Sequence, residues 1–315
     1  MRIGIIGAGM AGLSCAGALR DLGHQPVVFD KGRGPGGRMA TRRIATPLGE
    51  AGFDHGAQYL TARDPAFVAQ VEHWAQAGHV ARWPTAGADA WVGTPAMNAP
   101  IRAMAAELDV RWNARVDALS RDSLSRDSMW QFTGDASDIG DFDVAIVATP
   151  AEQVAPLLAG HDAAIADEAR STVSDPCWTV MLAFRDRIPV VADRLVDVGM
   201  IGSAVRNSAK PQRSGLEAWV LQANADWSRD HLEHEPATIQ RALTAAFATI
   251  VQADLPSVIA TSVHRWRYAK SGTSRRGQYW NADIRLGVCG DWLIGARVEA
   301  AWLSGQRLAA RIGPA

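Results

Sequence analysis

Cysteine is scarce and unpatterned in this 315-residue chain: Cys15, Cys177 and Cys289 lie far apart, and no CxxC occurs. That leaves no disulfide framework or thiolate metal cluster to read, and Cys15 and Cys289 fit as small core residues. Lysine is scarcer than the charge total suggests, confined to Lys31, Lys210 and Lys270, so the basic side is nearly all arginine. A net charge of −1 argues against a protein that binds nucleic acid by bulk electrostatics. The chain also lacks the run of roughly eighteen apolar residues that a membrane-spanning helix needs. Its apolar start has no charged leader and no small-residue cleavage site, so no signal peptide is read and the expected compartment is the cytoplasm. Hydrophobic residues make up 48% and charged residues 21%, which suits a globular protein, and the length suits two domains.

Glycine is plentiful, and it is placed. Arg2-Ile3-Gly4-Ile5-Ile6 reads as a buried strand, and Gly7-Ala8-Gly9-Met10-Ala11-Gly12 turns it into a helix. In such a turn the first glycine allows the tight bend, the second admits a pyrophosphate, and the third lets helix and strand pack closely. The free N–H groups at Met10 and Ala11 and the positive end of the helix would face the phosphates. Asp30 closes a second strand, Pro26–Phe29, at about the twenty-residue distance where an acid takes ribose hydroxyls. Strand, glycines, helix, strand and acid together predict a Rossmann-like dinucleotide site. Lys31-Gly32-Arg33-Gly34-Pro35-Gly36-Gly37-Arg38-Met39 then follows as a second glycine-rich, basic loop. An NAD site has no need of it; a longer cofactor running on into a flavin does.

Farther along, helices are expected over 64–78 and 98–108, strands over 110–116 and 143–148, and a loop opening into a helix at Thr149-Pro150. From Cys177 the pattern changes to long strands, 178–184, 216–222 and 258–268, interrupted by one helix at 238–251, which predicts an antiparallel sheet. The strand 286–289 and the helix 298–312 close the chain. The fold class expected is α/β, a Rossmann-like domain of 1–60, 108–150 and 284–315 interleaved with an antiparallel-sheet substrate domain of 61–107 and 151–283. The polar near-repeat 120–127 reads as an exposed hairpin.

The GGR that follows the acid, with Gly290-Asp291 and the helix beginning at Val298-Glu299, resembles the FAD-binding half of the flavin amine oxidase superfamily. A narrower resemblance spans the whole chain. Asp54–Asp64, Trp91–Asn98, His264-Arg265-Trp266-Arg267-Tyr268, Gly290-Asp291-Trp292 and Val298–Gly305 are similar to the bacterial renalase-type flavoproteins. That resemblance implies non-covalent FAD and a small-molecule substrate, an isomeric dihydro form of NAD(P). Hydride would pass from it to FAD, and oxygen would be reduced to hydrogen peroxide. The cofactor contacts it implies are Gly7, Gly9, Met10, Ala11, Gly12, Asp30, Lys31, Gly37, Arg38, Met39, His55, Gly56, Ala57, Val116, Ala148, Thr149, Gly290, Asp291, Val298 and Glu299. An amine oxidase or desaturase on the same frame, or a flavin-bound protein without turnover, stays open.

A flavin needs orientation and a shaped cavity more than acid–base machinery, so the candidate catalytic residues are few. His55 and Gln58 sit between glycines soon after the GGR loop, where they would bond flavin or a substrate carboxamide. A turn around a satisfied core histidine is the plainer alternative. Alternation along the 264–268 strand puts His264, Trp266 and Tyr268 on one face, either an aromatic wall for a flat substrate or ordinary packing. Lys270 reads as a surface lysine, with an amine-oxidase-like role beside the flavin as the alternative.

Overall fold

The structure, a computed structural model, describes residues 1–121, 129–135, 139–213 and 215–315. The chain forms two compact units, 1–37 with 101–174 and 271–315, and 38–100 with 175–270. The boundaries expected near 60, 108, 150 and 284 stand beside unit changes at 37, 100, 174 and 270.

The first unit is built on a six-stranded sheet in the order Tyr279–Asn281, Leu286–Val288, Val144–Val147, Arg2–Ile6, Gln25–Asp30, Asp109–Trp112. All but the Tyr279 edge run parallel. Ile5 faces Ile146 on one side and Val28 on the other, and all three are fully buried. Strands covered on both faces need near-continuous apolar runs, which is why 3–6 and 144–147 contain no charge. Helices Met10–Asp21 and Val298–Ile312 pack on each other: the Ser14 hydroxyl donates to the Trp302 carbonyl at 2.8 Å, and a side chain at Gly305 would collide with the Ala11 carbonyl. The two ends of the chain are thereby joined in one unit.

One expected strand, 110–116, is two. Asp109–Trp112 ends the parallel sheet, and Val116–Ser120 starts a separate antiparallel sheet with Trp130–Gly134 and Gly140–Phe142. Asn113, at φ 54°, breaks the run; it takes the left-handed conformation that asparagine tolerates, while its N–H bonds Gly32 O. Most of the 120–127 near-repeat lies outside the described residues.

The second unit carries a five-stranded antiparallel sheet in the order Arg194–Val198, Ile201–Arg206, Glu217–Ala223, Asp175–Phe184, Val258–Lys270. Alternation decides what covers each face. Val180 and Leu182 join Trp219 and Leu221 beneath the helix Pro236–Val251, packing on Ile239, Leu243 and Phe247. Met181 and Ala183 face the other way, against Ala51 and Phe53 of a hairpin formed by Thr41–Thr46 and Gly49–Asp54. That hairpin is absent from the sequence-based expectation, because Arg42-Arg43 and Gly49–Gly52 give it little hydrophobic alternation. No helix among the described residues is long and apolar enough to cross a membrane.

Candidate active site

In the first unit the three glycines of the opening turn have three separate reasons to be glycine. Gly7 sits at φ 107°, a left-handed conformation, with its N–H on Phe29 O at 2.8 Å and Ala148 O crowding the missing side chain at 2.7 Å. A side chain at Gly12 would collide with Gly7 O. Gly9 is different. Its backbone is ordinary and extended (φ −80°, ψ −176°), and a Cβ there would meet nothing within 4 Å. Neither strain nor crowding among the described residues calls for glycine at that position, and the open space beside it is of a kind that would admit a bound group. The helix starting at Met10 has no side-chain cap and no acid in its first turn, so the N–H groups of Met10, Ala11 and Gly12 face a space that favours an anion.

Asp30 ties the turn to the second glycine loop, its carboxylate accepting from Ala8 N–H and Gly32 N–H, each at 2.7 Å. Gly37, at φ 52°, brings that loop to within contact of Gly9, 3.9 Å from where its Cβ would stand. Lys31 is exposed and reaches Gln153 Oε1 at 3.5 Å. Ala148 N–H bonds Ile6 O, and Val116 is buried in the hydrophobic core of this unit. Two buried polar atoms beside the glycines have no partner among the described residues, Thr149 Oγ1 and Trp292 Nε1. The side chain missing at Gly7 would lie 3.4 Å from Thr149 Cγ2, and that missing at Gly290 would lie 2.8 Å from Trp292 Nε1. Unsatisfied groups of this kind cost about 1–3 kcal/mol each unless a ligand meets them. Asp291 is buried and accepts from the Ser271 hydroxyl at 2.8 Å; Ser304 accepts Gly290 N–H and donates to Gly277 O. The final helix again lacks a side-chain cap at Val298, and Glu299 is held beside it by Arg297 at 3.2 Å. An uncapped helix start, an open glycine, an acid and two orphan polar atoms fit a dinucleotide.

In the second unit the His55–Tyr59 segment is held by hydrogen bonds to its backbone. Ala57 N–H bonds Arg38 O at 2.8 Å, and any side chain at Gly56 would collide with that same carbonyl. Glycine at 56 is thus accounted for by the passage of Arg38, next to the buried Met39, rather than by approach to a flavin ring. Gln58 is buried with its amide engaged on both sides: Nε2 donates to Asp54 O at 2.5 Å and Gly56 O at 3.0 Å, and Oε1 accepts from Lys210 Nζ at 3.1 Å. Gln58, expected from the sequence to bond flavin or substrate, here spends both amide N–H groups on the turn itself.

His55 itself lies in an aromatic cluster. Its ring stacks on Trp266 at 5.2 Å and meets His264 edge-on at 5.0 Å, while Trp266 Nε1 donates to His55 O at 2.8 Å. Alternation holds: Arg265 and Arg267 point the other way, onto Glu233. Tyr268 shares the face but makes no ring contact with the cluster, and Lys270 is exposed. Burial, then His264 and Arg42, bring the His55 imidazole down to about 4; burial, then Arg42, do the same to His264. Both rings are neutral at physiological pH.

Beneath them is an ionic group that sequence reasoning missed. Lys210 and Arg213 converge on Asp54 Oδ2 at 3.1 and 2.8 Å, and all three side chains are buried. Burial alone would raise Asp54, but the two cations outweigh it and hold the carboxyl below the usual carboxylate range. Burial brings Lys210 down to about 8 against the pull of Asp54. The one available signal was that Lys210 is a rare lysine in an arginine-rich chain.

Comparison with known proteins settles the family. A Rossmann-like NAD(P)-binding domain matches residues 5–73, and the flavin-containing amine oxidoreductases match residues 70–313, most of the chain. The chain belongs to the flavin-containing amine oxidoreductase family. It is an FAD-dependent oxidoreductase. Renalase of Mus musculus is 24% identical, over 88% of this chain and 88% of that protein. Cyclohexylamine oxidase from Brevibacterium oxydans IH-35A superposes with a TM-score of 0.71 at 13% identity, covering 99% of this chain and 98% of that one. Putrescine oxidase bound to putrescine superposes with a TM-score of 0.75 at 13% identity, covering 99% of both. The two solved oxidases share the fold of this family member; their substrates are their own.

Proposed function

We propose that this oxidoreductase takes hydride from a dihydropyridine, an isomeric dihydro form of NAD(P). The observation that carries the reading is the His55–His264–Trp266 face, three flat rings that are uncharged at neutral pH. A dihydropyridine is already a hydride donor and needs no base, only a flat wall to hold its ring. An ammonium substrate would want a free carboxylate, and Asp54, next to His55, is committed to Lys210 and Arg213. The chemistry that FAD supplies is acceptance of the hydride and passage of the electron pair to oxygen, with hydrogen peroxide released. Gly9 and the N–H groups of Met10 and Ala11 are assigned to its pyrophosphate, Asp30 to the ribose, and Asp291, Thr149 and the helix start at Val298 to the remainder. FAD is proposed to be bound without a covalent link, since no cysteine or histidine stands in a recognised attachment motif. Three unpaired thiols fit a reducing compartment such as the cytoplasm.

The test is anaerobic mixing of the yellow holoenzyme with isomeric dihydro-NAD(P) and, separately, with amines. Rapid loss of the long-wavelength flavin absorbance with the dihydro isomers is the expected result. Bleaching by amines alone would make it an amine oxidase, and bleaching by neither would make it a flavin-bound protein without turnover. Trp266→Ala should then slow the reduction about 10- to 100-fold, the worth of a stacked ring, with FAD content kept.

A further inference from the structure

Arg42 stands apart from the other arginines near it. Arg206 has Asp193 and Glu217, Arg213 has Asp54, and Arg265 and Arg267 share Glu233. Arg42 is half-buried in the hairpin strand Thr41–Thr46, yet its guanidinium has no carboxylate partner among the described residues. One nitrogen donates to Ser262 Oγ at 2.6 Å, and another lies 3.5 Å from His264 Nδ1. Both partners are uncharged, and both point from alternate positions of the strand that also carries Trp266. The charged groups of the neighbouring elements do not neutralise it: Asp54 is held by Lys210, Arg213 and the Thr41 hydroxyl. A partly desolvated cation tethered by neutral groups keeps most of its donors free, and such a group is favourable when an anion meets it.

We infer that Arg42 is the specificity-determining residue for this substrate face, binding a phosphate oxygen of a phosphorylated dihydropyridine. The inference rests on the dihydropyridine reading and narrows it to phosphorylated nucleotides over the uncharged riboside. Ser262 fixes the guanidinium, and the fixed charge selects the anionic end of a substrate whose flat end is met by His55, His264 and Trp266. The same positive charge disfavours protonated amines.

The experiment compares the holoenzyme with Arg42→Gln and Arg42→Lys on isomeric dihydronicotinamide mononucleotide and its uncharged riboside. Arg42→Gln should lower kcat/KM for the mononucleotide roughly 10- to 100-fold, mostly through KM, and lower it far less for the riboside. Arg42→Lys should recover part of the loss, and the wild-type KM for the mononucleotide should rise with salt. Calorimetric titration with oxidised nicotinamide mononucleotide and riboside, which share the pyridinium charge and differ in the phosphate alone, isolates the phosphate contribution without turnover. An equal fall for both substrates, or no fall for either, overturns the role of Arg42. If neither dihydro compound bleaches the wild-type flavin, the dihydropyridine reading fails, and the titration still reports whether Arg42 selects phosphate.

Discussion

Gly9 is the residue on which the proposed pyrophosphate contact is most directly tested. Gly7 and Gly12 are explained by the backbone around them, whereas Gly9 has ordinary dihedrals and open space. Gly9→Val should therefore fold with a melting temperature close to that of the wild-type apoprotein but purify without FAD, as judged by the absorbance ratio of flavin to protein. A yellow Gly9→Val protein would falsify the assignment of its backbone to the pyrophosphate. The neighbouring histidines make a pH argument at the same scale. His55 and His264 have an ordinary value of 6.5, but burial and the Arg42 charge take them to about 4 in the folded chain. Between those values the unfolded chain binds protons that the folded one refuses, so stability is full above about pH 6.5 and is lost as pH falls towards 4. Denaturant midpoints measured from pH 7 to pH 4 should fall, and His264→Phe should flatten the curve.

The element that matters most for the proposed chemistry is the turn 54–58, and it is held from below. Lys210 bonds both Asp54 and Gln58, Gln58 closes on Gly56, and Gln222 donates to the same Gly56 carbonyl at 2.8 Å. Breaking one side of a buried ion pair leaves the partner charge uncompensated, typically at about 3–5 kcal/mol. Lys210→Met should cost that order of stability in urea unfolding, less whatever Arg213 retains on Asp54. Flavin reduction should slow as well, because the backbone that presents His55 to Trp266 loses its support. A variant of wild-type stability would mean that Arg213 alone suffices. The polar pattern His55-Gly56-Ala57-Gln58 was legible as a special turn, but the contacts of Gln58 with Asp54, Gly56 and Lys210 were not. A glutamine's sequence neighbours do not show which groups saturate its amide, and here one of them is 152 residues away.

For the whole molecule, local periodicity determined a great deal. Buried parallel strands require unbroken apolar runs and antiparallel ones permit alternation, so 2–6, 144–147, 178–184 and 258–268 could be assigned from composition and spacing, and the last helix was placed at Val298–Ile312 to the residue. The glycine turn was legible because a strand that bends tightly into a closely packed helix needs glycine at Gly7 and Gly12, and backbone geometry restricts residue choice locally. What only the tertiary structure decided is everything that depends on distant partners. The hairpin 41–54 has little pattern of its own and exists because Ala51 and Phe53 cover one face of a sheet contributed by residues beyond 175. Lys210 looks like any solvated lysine until Asp54 is brought to it, and Arg42 looks like any surface arginine until its side chain is seen to reach Ser262 and His264 but no acid among the described residues. Charge pairing is set by proximity in space, which a sequence without its fold does not contain.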